Sequence, residues 1–255
     1  MPHKGVTPKM KHLFDTPQTR EHPRFVSHRG FQPLAPANSL PSFEYAGRLG
    51  QWAIETDVHM TRDGHLVCCH NATVDATFNG TGAIKEMTLA ECRALRMNTG
   101  NRLECLRDEQ KVMPLFSEYL AICKKFGSVP FLELKTEDSE AVMHAVVESG
   151  IEDGGVVCSS GNIEYLKMAR KAAPNVFMHL IFAKEEQVEE MARMGNAGLS
   201  WRINDPLARP VELIKLGHDA GLKVCLRAGD TVEAVETMLE LGLDYIPSNC
   251  MHGKL

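Results

Sequence analysis

The sequence predicts an α/β chain folded as a TIM (β/α)8 barrel, and three observations carry that prediction. Short apolar runs alternate with amphipathic segments, the pattern of a parallel sheet covered by helices. Several of the helical segments stop at a glycine, at Gly50, Gly127, Gly150, Gly221 and Gly242, where a left-handed C-terminal residue is expected. The chain has 255 residues, a length at which a single barrel closes. No Gly-rich first turn supports the alternative, a doubly wound open sheet.

Taken in order, strands are expected at 24–28, 52–58, 65–70, 129–135, 155–160, 176–182, 198–203, 223–228 and 244–248. Helices are expected at 40–49, 88–96, 115–126, 138–149, 162–173, 184–194, 209–220 and 231–241. That is one strand more than a barrel needs. Only HMTRDG separates Val58 from His65, and a parallel crossover needs a dozen residues or more, so these two strands form an antiparallel hairpin. With residues 60 and 65 flanking the turn, 59 pairs with 66 and 55 with 70, which returns His70 to the level of Glu55. Residues 1–24 are polar, carry prolines at 2, 8, 17 and 23, and are expected to form an N-terminal arm. Residues 25–255 form a single barrel domain with a small inserted lobe at about 71–113.

Hydrophobic residues make up 44% of the chain and charged residues 24%, which excludes disordered, collagen-like and coiled-coil classes. The net charge of −5 argues against a broad nucleic-acid surface. No window approaches the ~18 consecutive apolar residues of a membrane span, and the N-terminus has no secretory pattern. The eight cysteines form no C-x-x-C pair. A reduced, cytoplasmic protein is expected, with no nucleic-acid partner and no stable membrane insertion, and with a homo-oligomer compatible.

Glu55 and Asp57 lie two apart on a strand and share a face; Ile54, Thr56 and Val58 take the other. Read alone, such a pair is more often an ion-paired or solvated couple than a metal site. Glu133 and Lys135 repeat the geometry on FLELK, where the plain alternative is a buried ion pair. Three carboxylates at the ends of two barrel strands suit a hard, oxygen-ligated cation, Mg²⁺ or Ca²⁺; zinc would want more histidine or cysteine. His28, Arg29 and Gly30 end the first strand. Arginine there is suited to clamp a phosphate or carboxylate, and glycine permits a turn or close approach. His28 and His70 are candidates to take and give protons at a metal-bound centre. His59 is expected to be solvated or at the rim, and His179 in the core or just behind the site.

With these residues in view, the chain resembles the glycerophosphodiester phosphodiesterase family. The strings that carry the resemblance are HRG at 28–30, PANSLPSFEYA at 36–46, IETDVHMTRDG at 54–64, LVCCHN at 66–71, NGTGAIKEMTLAE at 79–91, MPLFSEYL at 113–120 and FLELK at 131–135. They occur in the family's order and spacing. The resemblance implies a TIM barrel with a small inserted lobe. It also implies a divalent metal on Glu55, Asp57 and Glu133, with His28 and His70 as acid/base pair and a small-molecule glycerophosphodiester as substrate. Arg29 and Lys135 would bind the phosphate and steady the carboxylates, and Asn38 would help line the site. The sequence departs from the family in four places. Ala37 replaces the glutamate of P-E-N-T, Asn71 replaces the aspartate of His-Asp, CLRAGD (225–230) stands for W-T-V-N, and PSNCM (247–251) stands for T-D-x-P. The wall that the family tryptophan borders is therefore expected to hold Trp201 or Arg227. Rival readings are a lysophospholipase D-like or phospholipase C-like enzyme on the same site, a Schiff-base aldolase using Lys135, and a weakly active phosphodiester-binding barrel.

Overall fold

Eight short parallel strands, each led from the last by a helix, wrap into a barrel in the computed structural model, which describes residues 13–203, 205 and 207–254. They are β1 (Phe25–Ser27), β2 (Ala53–Met60), β4 (Val129–Leu134), β5 (Val157–Ser160), β6 (Phe177–Leu180), β7 (Ala197–Ser200), β8 (Lys223–Cys225) and β9 (Ile246–Ser248). The ninth strand, β3 (Leu66–Cys68), pairs antiparallel with β2 and lies off the barrel. The helices are α1 (Leu40–Arg48), α2 (Leu89–Ala94), α3 (Phe116–Phe126), α4 (Ser139–Glu148), α5 (Ile163–Ala172), α6 (Val188–Met194), α7 (Val211–Asp219) and α8 (Val232–Glu240). Ladders join neighbours from β8 through to β9 by way of β1. The last seam is made by single bonds: Asp244 N–H donates to Val224 O at 2.9 Å and Gly229 N–H to Pro247 O at 2.9 Å.

Alternation along each strand sorts side chains into two layers. Ile54, Val58, Leu132, Cys158, Met178, Leu199 and Val224 join the large apolar layer under the helices. Val26, Ala53, Phe131, Val157, Phe177, Cys225 and Tyr245 fill the lower barrel interior. The inward positions above them carry the polar groups of the site. Tyr119 of α3 ties two strands together there: its hydroxyl donates to Ile54 O at 2.6 Å and accepts from Phe131 N–H at 3.1 Å.

Three expectations need correction. The hairpin loop is one residue tighter than TRDG. Thr61 N–H donates to His65 O at 2.9 Å, and Gly64 closes the turn at φ +81°, the left-handed position of a three-residue loop. His59 therefore pairs with Val67, and Met60 with Leu66. On that register His70 stands level with Thr56 rather than Glu55, and β3 ends at Cys68, before reaching it. The strands expected at 198–203 and 223–228 end at Ser200 and Cys225. Finally, the described part of the polar lead-in does more than trail. Leu13 and Phe14 pack into the lower barrel cluster, with the Phe14 ring 4.8 Å from Phe177, 5.6 Å from Trp52 and 5.7 Å from Tyr245. The remainder of that lead-in, residues 1–12, lies outside the described residues.

Residues after β3 build a lobe with an apolar cluster of its own. Val74, Phe78, Ile84, Cys92, Met97 and Met113 pack on Val67 and Cys69 from the hairpin. The α2 helix is started by a capping box between Thr88 and Glu91.

Phe14 is half-buried, so Phe14→Ala should cost less than a full core truncation, about 2 kcal/mol. Urea unfolding should show the loss. Turnover at 25 °C should stay near that of the wild type, because the plug lies at the opposite end of the barrel from the carboxylates. Wild-type stability would show that the aromatic contacts contribute nothing.

Candidate active site

Glu55, Asp57 and Glu133 converge because of strand register. β2 and β4 run parallel, with Asp57 directly opposite Glu133, and two residues along β2 bring Glu55 onto the same inward face. One oxygen from each of the three lies within 4.8 Å of the others. Asp57 is fully enclosed, Glu55 is 5% exposed, and both sit where the strands point their C-terminal ends.

Two cations hold the cluster together. Arg29 Nε lies 3.4 Å from Asp57 Oδ2, and Lys135 Nζ 3.3 Å from Asp57 Oδ1; Lys135 also pairs with Glu133. Arg29 gives its backbone N–H to Glu55 Oε2 at 2.7 Å. Asn38 gives Nδ2–H to Asp57 Oδ2 at 2.9 Å and accepts from Thr56 Oγ1 at 2.8 Å. The backbone is bent to make these contacts. Arg29 and Asn38 adopt φ of 58° and 52°, sparse values for side chains other than glycine. Asn38 N–H donates to Arg29 O at 2.9 Å. Gly30 follows at φ +80°, with Ser42 so close that a Cβ would fall 2.3 Å from its Oγ. The HRG string is thus a tight turn against the start of α1.

The balance of charge remains negative. Burial pushes the Glu55 carboxyl well above the usual range, and Asp57 and Glu133 push it further against the pull of Arg29. Glu133 is raised for the same reasons, burial first and then Asp57, with Lys135 opposing. Lys135 is lowered by burial but raised more by Glu133 and Asp57, so its net shift is upward. Asp57 Oδ1 is buried and forms no well-aligned hydrogen bond among the described residues, with the Lys135 ammonium as its ion-pair partner at 3.3 Å. Such an oxygen, in an all-oxygen set with three carboxylates against two cations, fits a hard divalent cation.

Two cavities adjoin this cluster. The first, about 70 Å³, is lined by Glu55 and Glu133 together with His28, His179, Phe182 and Arg227. The second, about 200 Å³, lies on the lobe side and is lined by Arg29, Ala37, Asn38, His70, Asn71 and Phe78 among others. The carboxylates link the two, since Arg29 and Asn38 of the second both touch Asp57. Of the residues expected at the site, His28, Arg227, the three carboxylates, Arg29, Lys135, Asn38 and His70 fall on one cavity or on the cluster between them. His28 is held at about 4 by burial and by Arg29 and Arg227, with partial compensation from Asn249, and is neutral at physiological pH. His70 is exposed, with Nδ1 2.7 Å from Asn71 Oδ1.

Other placements differ from expectation. Trp201 is 3% exposed and belongs to the apolar layer under the helices, not to the cavity wall. Alternation explains this: Ser200 lines the cavity, so its neighbour points the other way. His59 is buried at 7% exposure rather than solvated, with Nε2 3.5 Å from His70 O, because the hairpin folds back over it. His179 lies at the cavity floor, between the hydroxyls of Tyr245 and Ser200, and burial lowers it to about 3. Sequence reasoning did not single out Asn249 and Gln32, which contact His28, or Asp230, which holds Asn249. The last strand end is where a barrel carries function, and that rule pointed toward Asn249.

Oxygen ligands for a hard cation, basic groups for a phosphate and imidazoles at a barrel mouth are the apparatus of phosphate-ester hydrolysis. Comparison with known proteins narrows the class. The glycerophosphoryl diester phosphodiesterase family model matches residues 28–249, and the chain belongs to that family. It is a phosphoric diester hydrolase. A glycerophosphodiester phosphodiesterase of Caldanaerobacter subterraneus subsp. tengcongensis is 32% identical over 230 residues, 87% of this chain and 91% of that protein. A glycerophosphodiester phosphodiesterase of Bacillus subtilis is 28% identical over 191 residues, 68% of this chain and 63% of that protein. Among solved structures, an Oleispira antarctica phosphodiesterase in complex with the product sn-glycerol-3-phosphate superposes with a TM-score of 0.76. It is 25% identical, and the match covers 89% of this chain and 93% of that one. No helix among the described residues is long and apolar enough to cross a membrane.

The raised carboxyls give a stability test. A carboxyl raised by folding favours the native state at low pH, and that contribution is lost as pH rises through the folded value. In EDTA the melting temperature should therefore fall as pH rises from the ordinary carboxylate range upward. Glu55→Gln should melt several degrees higher than wild type at pH 8 in EDTA, and Mg²⁺ or Ca²⁺ should stabilise the wild type far more than this variant. A lower melting point for Glu55→Gln in EDTA would mean that the cluster is not electrostatically strained.

Proposed function

We propose that the chain hydrolyses glycerophosphodiesters to sn-glycerol 3-phosphate and a free alcohol, with a divalent cation on Glu55, Asp57 and Glu133 and with His28 and His70 as the acid/base pair. The observation that carries this reading is the placing of two cavities, one lined by His28 and the other by His70, on either side of a single carboxylate cluster. A bound Mg²⁺ or Ca²⁺ would offset charge on the non-bridging phosphoryl oxygens. Product capture by the Oleispira antarctica relative supports the glycerol phosphate half of the substrate.

The residues divide the work. Arg29 has only Nε engaged by Asp57, and its remaining N–H donors serve a phosphate oxygen in the second cavity. Lys135 is committed to Glu133 and Asp57, which makes it chiefly a clamp on the carboxylates. Asn38 orients Asp57. Phe131, Ile181 and Phe182 give the first cavity an apolar wall, suited to a carbon chain as short as glycerol. Arg227 stands at its edge and favours substrates with added negative charge. The exposed His70 faces the wider second cavity, where a leaving alcohol of varied size has room to depart.

The test is glycerol 3-phosphate release from a panel of glycerophosphodiesters with Mg²⁺, with Ca²⁺ and with EDTA. Release abolished by EDTA and restored by metal is expected, and folded protein inactive under every condition overturns the proposal. His28→Ala and His70→Ala should each lower turnover on the order of 10²-fold or more. Near wild-type turnover in either would remove that histidine from the mechanism. Alanine at all three carboxylates should abolish calorimetric metal binding.

A further inference from the structure

His28 is not alone at the end of β1. Its Nδ1 lies 2.8 Å from Asn249 Oδ1, just past β9. Asn249 is in turn gripped by Asp230: its backbone N–H donates to Asp230 Oδ1 at 2.7 Å and its Nδ2–H to Asp230 Oδ2 at 2.6 Å. Ser248 Oγ donates to the same carboxylate at 3.0 Å. Gln32 Nε2 donates to Asn249 Oδ1 at 2.8 Å and to His28 O at 2.9 Å.

The chemistry of these groups orders the protons along the chain. A carboxylate only accepts, so the Asn249 atom against Asp230 must be its NH2 group. The atom left facing His28 is then the carbonyl oxygen, which also only accepts. His28 Nδ1 must therefore carry a hydrogen. In the neutral ring that leaves the lone pair on Nε2, away from Asn249. An amide standing alone could flip and reverse this order; Asp230 prevents the flip.

We propose that Asp230 and Asn249 are positioning residues for His28, fixing it in the Nδ1–H tautomer so that Nε2 is its reacting atom. The inference rests on the reading of His28 as an acid/base group. The other titratable and charged groups facing His28 are Arg29 beside it, Arg227 from the end of β8, Asp57 from β2, and Glu55, Glu133 and His179, which line the same cavity. Asp230 touches Asn249 and not the ring, so the imidazole has a neutral partner, and its positive neighbours are not offset by a carboxylate in contact.

The first test needs no variant. Nitrogen-15 NMR of labelled metal-loaded enzyme should show His28 with a protonated Nδ1 and an unprotonated Nε2, the tautomer that free histidine disfavours. An Nε2–H tautomer overturns the proposal. The second test is kinetic. Asp230→Asn should lower kcat on the order of tenfold or more with KM little changed, since misorientation of a catalytic imidazole acts on the chemical step. The exchange Asp230→Asn with Asn249→Asp returns an acceptor to Nδ1 and moves the carboxylate into contact with the ring. It should recover most of kcat and shift the His28 limb of the pH profile to higher pH. Unchanged kcat in Asp230→Asn, or a pH profile that the exchange does not move, overturns the proposal. His28→Ala separates the two layers: if it retains activity, the acid/base reading fails, while the tautomer measurement still decides the positioning claim.

Discussion

Everything at the barrel mouth answers to one constraint: three carboxylates meet in a space where their charges cannot be left to water. Asp57 is the centre of this, fully enclosed and opposite Glu133 on the neighbouring strand. Removing one partner of such a buried group costs several kcal/mol, because the charge remains without its counterion. Arg29 and Asn38 reach Asp57 from the connection between β1 and α1, and Lys135 reaches it from the end of β4. The left-handed residues Arg29 and Asn38 are the visible cost in backbone conformation. Two cations against three carboxylates leave a deficit that a divalent ion is suited to fill.

The lower barrel bears the other side of that arrangement. Polar groups occupy the upper interior, so apolar packing is concentrated beneath them and under the helices. Phe131, Phe177 and Tyr245 fill the axis, and Phe14 closes it from below. Tyr119 couples the layers, since its one hydroxyl bridges Ile54 and Phe131 on the strands that carry the carboxylates. The register that sets Asp57 against Glu133 is thereby pinned from the helix side.

How much of this the sequence made legible depends on the distance over which each contact is determined. The shared face of Glu55 and Asp57 follows from a period of two and needs no partner strand. Barrel closure and the off-barrel hairpin follow from counting residues between strands. The hairpin register slipped by one because Gly64 takes the left-handed position of a three-residue loop, a choice between turns that Asp-Gly permits either way. The side taken by Trp201 depended on which residue of β7 faces inward, and a short strand with Gly198 and Ser200 on that face gives no hydrophobic contrast to read. His59 looked like a rim residue because nothing local announces that the chain will fold back across it. Asp230 gives no local signal for the same reason: it acquires meaning only when the last strand, a helix further on, brings Asn249 to it.

The site also segregates its charge. The clustered carboxylates are gathered on β2 and β4, while two imidazoles beside them meet amides: His28 meets Asn249, and His70 meets Asn71. A carboxylate in contact with either ring would draw a proton onto it and compete with the cluster for the same positive charge. An amide oxygen orients a ring without adding a charge, so proton affinity is left to the surroundings. Around His28 those are burial and two arginines, which hold it at about 4 and neutral at physiological pH. His28 is thus enclosed by groups the protein supplies while His70 stands exposed on the wider cavity, an asymmetry that suits the proposed division of the two rings between taking and giving a proton.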